Sequence, residues 1–137
     1  MMKKILSTGY TDTAFNLATF LLRVTFGLLM WINHGVPKLT HFSEWRDTFY
    51  DPFHIGHFWM LTMSILAEVF ASMMLILGVF SRIAAFAILL EMAALIILFY
   101  HGRPIGHFED AILFLTGFLV IIIVGPGKWS VDAMSGK

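Results

Sequence analysis

Apolar residues fall into four long runs, at 14–33, 58–78, 83–100 and 111–124, separated by more polar stretches, one long and two short. Each run reaches or approaches the roughly 20 residues that an α-helix needs to cross a bilayer. The pattern predicts helices over about 14–34, 58–78, 82–100 and 109–124, the last beginning at Glu109 so that Glu109 and Asp110 fall in its first turn. Thr11-Asp12-Thr13 supplies an N-cap for the first helix, and Gly35 with Pro37 is expected to end it, since proline lacks a donor and restricts the residue before it. The connection that follows, 35–57, is long. Within it Phe42, Trp45 and Phe49 recur at i, i+3 and i+7, which fits either a short interfacial helix or a loop with aromatic anchors. Gly78 and Ser81 read as the C′ residue of the second helix and the N-cap of the third, so those two helices are antiparallel neighbours. The predicted fold is all-α: an integral membrane, antiparallel, up-down-up-down four-helix bundle, a single domain over 1–137, with a long outer loop between helices 1 and 2.

Composition supports this reading. Of the 137 residues 58% are hydrophobic and only 13% charged, and mean hydropathy is +0.81, too little polar material to cover a water-soluble globule. The lipid bilayer is the expected environment. The absence of cysteine excludes thiolate nucleophiles and iron–sulfur ligation by this chain alone, and a formal net charge of zero gives no support for nucleic-acid binding. Residues 1–12 are polar, so no cleavable signal peptide is expected. Four spans place both termini on one side with Lys3, Lys4, Arg82, Lys128 and Lys137, while Lys38, Arg46 and Arg103 fall on the other; the positive-inside rule puts the termini in the cytoplasm.

Ionisable residues inside the apolar runs are the candidate chemistry. Glu68 lies 12 residues before Phe80 and Glu91 lies 11 after it. At about 1.5 Å per residue both sit roughly 17 Å from the same turn, near the bilayer centre. A charge at that depth costs about 2.5–3.5 kcal/mol on insertion scales, so a partner is required. Counted down from Asn33, Arg23 reaches the same level and is the expected partner. One proton shared between the two carboxyls follows from one guanidinium facing two acids, with Glu91 the neutral one because Ser64 and Ser72 flank Glu68 at i−4 and i+4. His34 returns to the face of Arg23 at i+11, and Glu109 is placed to close the upper end of this polar line. All six histidines, His34, His41, His54, His57, His101 and His107, fall at the outer face, where imidazole titrates near neutral pH. The candidate cluster is therefore Arg23, Glu68, Glu91, His34, Lys38, Glu109 and His101. It serves equally as a packing lock or as a site. No metal is expected, because His54 and His57 lack a complete ligand set.

These residues, taken in order, resemble the DoxX family. The resemblance rests on Arg23, His34-Gly35-Val36-Pro37-Lys38, Ala67-Glu68, Leu77-Gly78-Val79-Phe80-Ser81-Arg82, Gly106 with Glu109, and Gly125-Pro126-Gly127-Lys128-Trp129-Ser130-Val131-Asp132, across residues 21–132. It implies a four-helix protein of prokaryotic cell membranes, the inner membrane in Gram-negative cells, with cytoplasmic termini. Some relatives are described as small subunits of thiosulfate:quinone oxidoreductases, others as membrane partners of sulfurtransferase and superoxide-detoxifying enzymes. Arg23, His34, Lys38, Glu68 and Glu109 carry over by motif; Glu91 rests on its depth alone. The expectation is a membrane subunit of a redox complex, at most an oxidoreductase subunit needing a protein partner, with quinone as the cofactor or substrate implied. The residues leave two alternatives open: a non-enzymatic scaffold or assembly protein, and a small transporter or proton pathway.

Overall fold

The computed structural model describes residues 8–136, which are helical with no strand among them. Helix α1, Asp12–Thr40, starts where Thr11 accepts the N–H of Ala14 at 3.1 Å, the N-cap expected from the sequence. It does not stop at Gly35 and Pro37, which corrects the expected end near residue 34. The helix widens into a π turn at Trp31–Gly35, where the N–H of Val36 reaches back five residues to the carbonyl of Trp31, and then continues through Val36–Thr40. Proline breaks a helix because its ring crowds the preceding turn and it has no N–H. The extra residue of a π turn relieves that crowding, so the chain stays helical. Lys38, expected in a loop, is thereby carried on the last turns of α1.

A short helix α2, Phe42–Trp45, follows. Phe42, Trp45 and Phe49, together with Trp31, pack against buried Leu61, Ile65 and Val69, so this aromatic series faces the protein. Helix α3, His57–Leu77, and helix α4, Ser81–Phe99, form the expected hairpin and pack against each other. Gly78 has φ +76, and the N–H groups of Gly78 and Val79 reach back to Leu75 and Met74, a Schellman closure that needs a residue free of a Cβ. The start of α4 differs from expectation. Ser81 does not cap it; the carboxylate of Asp132 accepts the N–H groups of Phe80 and Ser81, both at 2.8 Å. Helix α5 is Glu109–Val124 and helix α6 is Val131–Met134.

Three of these helices, α1, α3 and α4, are long and apolar enough to cross a membrane. At 16 residues α5 spans about 24 Å, less than the roughly 30 Å hydrocarbon core. It packs along α4 and also touches α1. The core lies between these elements: Phe114, Phe118 and Ile121 of α5 meet Ala84, Ala85, Ile88 and Met92 of α4, and Phe26 of α1 sets its ring edge-on to Phe114 and Phe118. Large side chains on the outward faces, such as Leu21, Ile83 and Ile123, are exposed, as lipid-facing positions require.

Candidate functional site

Between the first turns of α3 and the last turns of α4 lies a cavity of about 880 Å³. Its walls are apolar, with Met60, Met63 and Ala67 from α3 and Leu90, Leu95 and Leu98 from α4, and the segment after α2 covers it with Phe49, Tyr50, Phe53 and Ile55. The cover is held at defined points. Tyr50 donates its hydroxyl to the carbonyl of Leu98 at 3.1 Å and sets its ring against Phe99. Asp51 accepts the N–H groups of Ile55 and Gly56 at 3.1 and 2.7 Å, closing a turn in which His54 and Gly56 take positive φ. Desolvation pushes the Asp51 carboxyl up, but the Gly56 and Ile55 N–H groups and the nearby His57 and His54 outweigh it and hold it below its ordinary value.

Among the described residues, the polar wall of this cavity apart from the cover is built by Lys38, Ser64, Glu68 and Glu91. The Lys38 ammonium donates to the Ser64 hydroxyl at 2.7 Å and to Glu68 Oε1, and lies 3.9 Å from Glu91 Oε1. Ser64 in turn donates its hydroxyl to Glu91 Oε1. The Glu68 side chain is 2% exposed, while those of Lys38 and Glu91 keep 17% and 21%. Lys38 and Glu91 are therefore the accessible charged members of the cluster. Two carboxyls thus face a single ammonium across a largely buried wall, so the cluster holds more acid than base. The second oxygens of Glu68 and Glu91 are buried without a protein partner, which marks this as a site under electrostatic demand.

Local backbone geometry brings the four groups together. Each long helix that contributes to the cluster carries a π turn at this level: Trp31–Gly35 ahead of Lys38, Leu66–Ala71 around Glu68, and Leu95–Phe99 after Glu91. Such turns rotate the following residues out of α-helical register and recur at functional sites. Gly35 lets α1 approach closely, because a Cβ there would stand 2.9 Å from the Glu68 carbonyl oxygen and 2.9 Å from Val69 Cγ2.

Of the seven candidate residues the structure unites Lys38, Glu68 and Glu91. Arg23 is elsewhere. Its guanidinium donates to the carbonyls of Leu75 and Ile76 at 2.6 and 3.0 Å and of Trp129 at 2.7 Å, at the far end of α3, where Asp132 is the acid whose field it feels. The expected level was set from Asn33, but α1 runs on to Thr40, which puts Arg23 about 10 Å further from the end of its helix. His34 stands edge-on to Phe114 at 5.4 Å, Glu109 is exposed in the first turn of α5, and His101 is exposed beyond α4. The histidines expected to share one face do not assemble among the described residues: His41 stacks on Trp45, and no three potential metal ligands converge. Sequence reasoning placed Ser64 beside Glu68 and missed its actual role, which is to join Lys38 to Glu91. It also missed the aromatic cover, for which the Phe42, Trp45, Phe49 series was the available signal.

A family model described as DoxX matches residues 18–101, a stretch that holds most of α1, all of α3 and α4 and the whole polar cluster. Neither the curated proteins nor the solved structures contain a match to this chain.

Proposed function

The chain belongs to the DoxX family, and on that premise we propose that it is the integral membrane subunit of a prokaryotic redox complex, with a quinone headgroup taken into the cavity between α3 and α4. One observation carries this reading: an apolar cavity of about 880 Å³ has a single polar end made of an ammonium and two carboxyls joined by a hydroxyl. That volume falls within the range of about 300–1,000 Å³ typical of small-molecule sites. Lys38 spends two of its three N–H donors on Ser64 and Glu68, and the third is free for a carbonyl oxygen of the ring. Glu91, more exposed than Glu68, exchanges one of the two protons that accompany two-electron reduction or oxidation, the second passing between quinone and water, and the Ser64 hydroxyl and the ammonium behind it stabilise the carboxylate that results. Electrons come from a partner subunit, since a chain without cysteine does not build an iron–sulfur centre of its own.

In this reading α5 is a short fourth span that completes an antiparallel four-helix bundle, with the outer loop over the cavity and both termini in the cytoplasm of a prokaryotic cell membrane. Support comes from the chain that follows α5: the N–H of Asp132 donates to the carbonyl of Gly78 at 2.8 Å, so α5 returns the chain to the turn between α3 and α4. The packing-lock reading has its own observation, and it concerns Arg23, whose three carbonyl acceptors tie α1 to α3 and to Trp129.

The test is binding of a short-chain quinone to purified protein in lipid nanodiscs, followed by calorimetry. Wild type is expected to bind, with Lys38→Met and Glu91→Leu at least about tenfold weaker, or about 1.4 kcal/mol. A folded protein that binds no quinone, or variants that bind as wild type does, would overturn the proposal.

A further inference from the structure

Two motifs singled out in the sequence, Leu77–Arg82 and Gly125–Asp132, have no role in the quinone cavity. They meet at the opposite end of the molecule. There an open cleft of about 430 Å³ lies where α1 and α4 begin and α5 ends, lined by Phe15, Asn16, Arg82, Val124, Gly125 and Lys128 among others. The guanidinium of Arg82 lies along Gly125, where a Cβ would come within 3.2 Å of Nη2, and Gly125 has φ +91, so this close approach depends on glycine. Arg82 belongs to none of the ion pairs among the described residues. Lys128 Nζ is 3.7 Å from Asp12, but those side chains are 73% and 87% exposed, a pairing that water readily loosens.

The backbone around these cations is fixed in advance. The N–H of Lys128 donates to Asn16 Oδ1 at 2.8 Å, and the Asn16 amide donates to the Asp12 carbonyl at 2.7 Å. Gly127, with φ +75, sets its bare α-carbon against the Thr19 hydroxyl. Among the described lining residues, Arg82, Lys128 and Asp12 leave the cleft with one net positive charge. A planar guanidinium binds tetrahedral oxyanions through two oxygens at once, and a lysine beside it adds a point charge. One net charge suits a monoanion. Phe15, near the start of the membrane-capable α1, and Val124, at the end of α5, form an apolar wall beside these cations.

We infer that this cleft binds an anionic phosphate group, with Arg82 as the principal ligand and Lys128 as the second. The chemistry is shared by an anionic phospholipid headgroup and by free phosphate, and the apolar wall favours the lipid. The experiment uses the full chain, delipidated in detergent, with native mass spectrometry after addition of phosphatidylglycerol or phosphatidylcholine, and thermal melts with inorganic phosphate. Wild type is expected to retain phosphatidylglycerol at least tenfold better than phosphatidylcholine, a preference that Arg82→Gln abolishes and Lys128→Gln weakens. Stabilisation of wild type by inorganic phosphate, absent in Arg82→Gln, would keep the site and assign it to a soluble phosphate. Equal retention of phosphatidylglycerol by wild type and Arg82→Gln, or no binding of either probe, overturns the inference. Quinone binding is measured on the same samples, so a failure here is distinguished from a failure of the cavity reading.

Discussion

Lys38 shows how much one side chain decides. It is the direct partner of a carboxylate that is almost wholly buried, and removing one member of such a pair leaves the other charged and unsolvated. Lys38→Met is expected to lower stability by about 3–5 kcal/mol. Glu68→Gln should cost more than Glu91→Gln, because Glu68 makes the contact with the ammonium whereas Glu91 stands 3.9 Å away and partly exposed. Thermal melts of the three variants in detergent check this order, and equal losses for the two glutamates would refute it. Arg23 behaves differently. Lysine in its place has no fork to span the carbonyls of Leu75, Ile76 and Trp129, so Arg23→Lys should lose about 1.5–3 kcal/mol for each charge-assisted bond broken while quinone affinity stays as in wild type. Quinone affinity that falls with Arg23→Lys in folded protein would return Arg23 to the site. Glu68 and Glu91 were legible as a pair from their equal distance to the turn at 78–82, since that count runs along two regular helices from one shared point. The partner was not legible, because its count began at a helix end that lies seven residues further on.

At the scale of elements, the π turns and the cover carry the argument. Gly35 sits in the π turn of α1 against the backbone of Glu68, so Gly35→Ala inserts a methyl where the Glu68 carbonyl oxygen stands 2.9 Å away. A loss of about 1–3 kcal/mol follows from overpacking, together with weaker quinone binding as Glu68 is displaced. Melts and calorimetry on one preparation separate the two effects, and a variant as stable as wild type would show that α1 and α3 yield freely. The cover over the cavity depends on Asp51. Its folded value lies below the unfolded one, so its contribution to the turn is complete above about pH 3.9 and is lost as pH falls through the lower folded value. Protease nicking within residues 46–56 should therefore rise with acidification in wild type, and be high already at neutral pH in Asp51→Ala. No difference between the two at neutral pH would mean that Asp51 does not hold the turn. The helices themselves, the N-cap at Thr11 and the Gly78 turn were readable because local propensity and burial agree there. A π turn has no comparable signature, since it is a response to Pro37 and to the packing of α1 on α3.

The whole molecule poses the question of how α5 sits. A chain without cysteine is a clean background for single-cysteine labelling. His101→Cys is expected to react with a membrane-impermeant reagent from the outer side, and Ser135→Cys only after the membrane is opened. Labelling of both from one side of intact spheroplasts would show that α5 does not cross. Hydropathy and length alone determined that this chain is helical and membrane-embedded, with the hairpin of α3 and α4 at its centre, because in hydrocarbon every backbone group must bond within its own segment, and long apolar runs leave only helices. The ordered motifs also sufficed to identify the family. Tertiary structure decided which buried charges meet. Depth along a helix is additive in the sequence, but partnership depends on where a helix ends, how far a π turn rotates it and whether a glycine permits contact, and those are settled only when the helices pack.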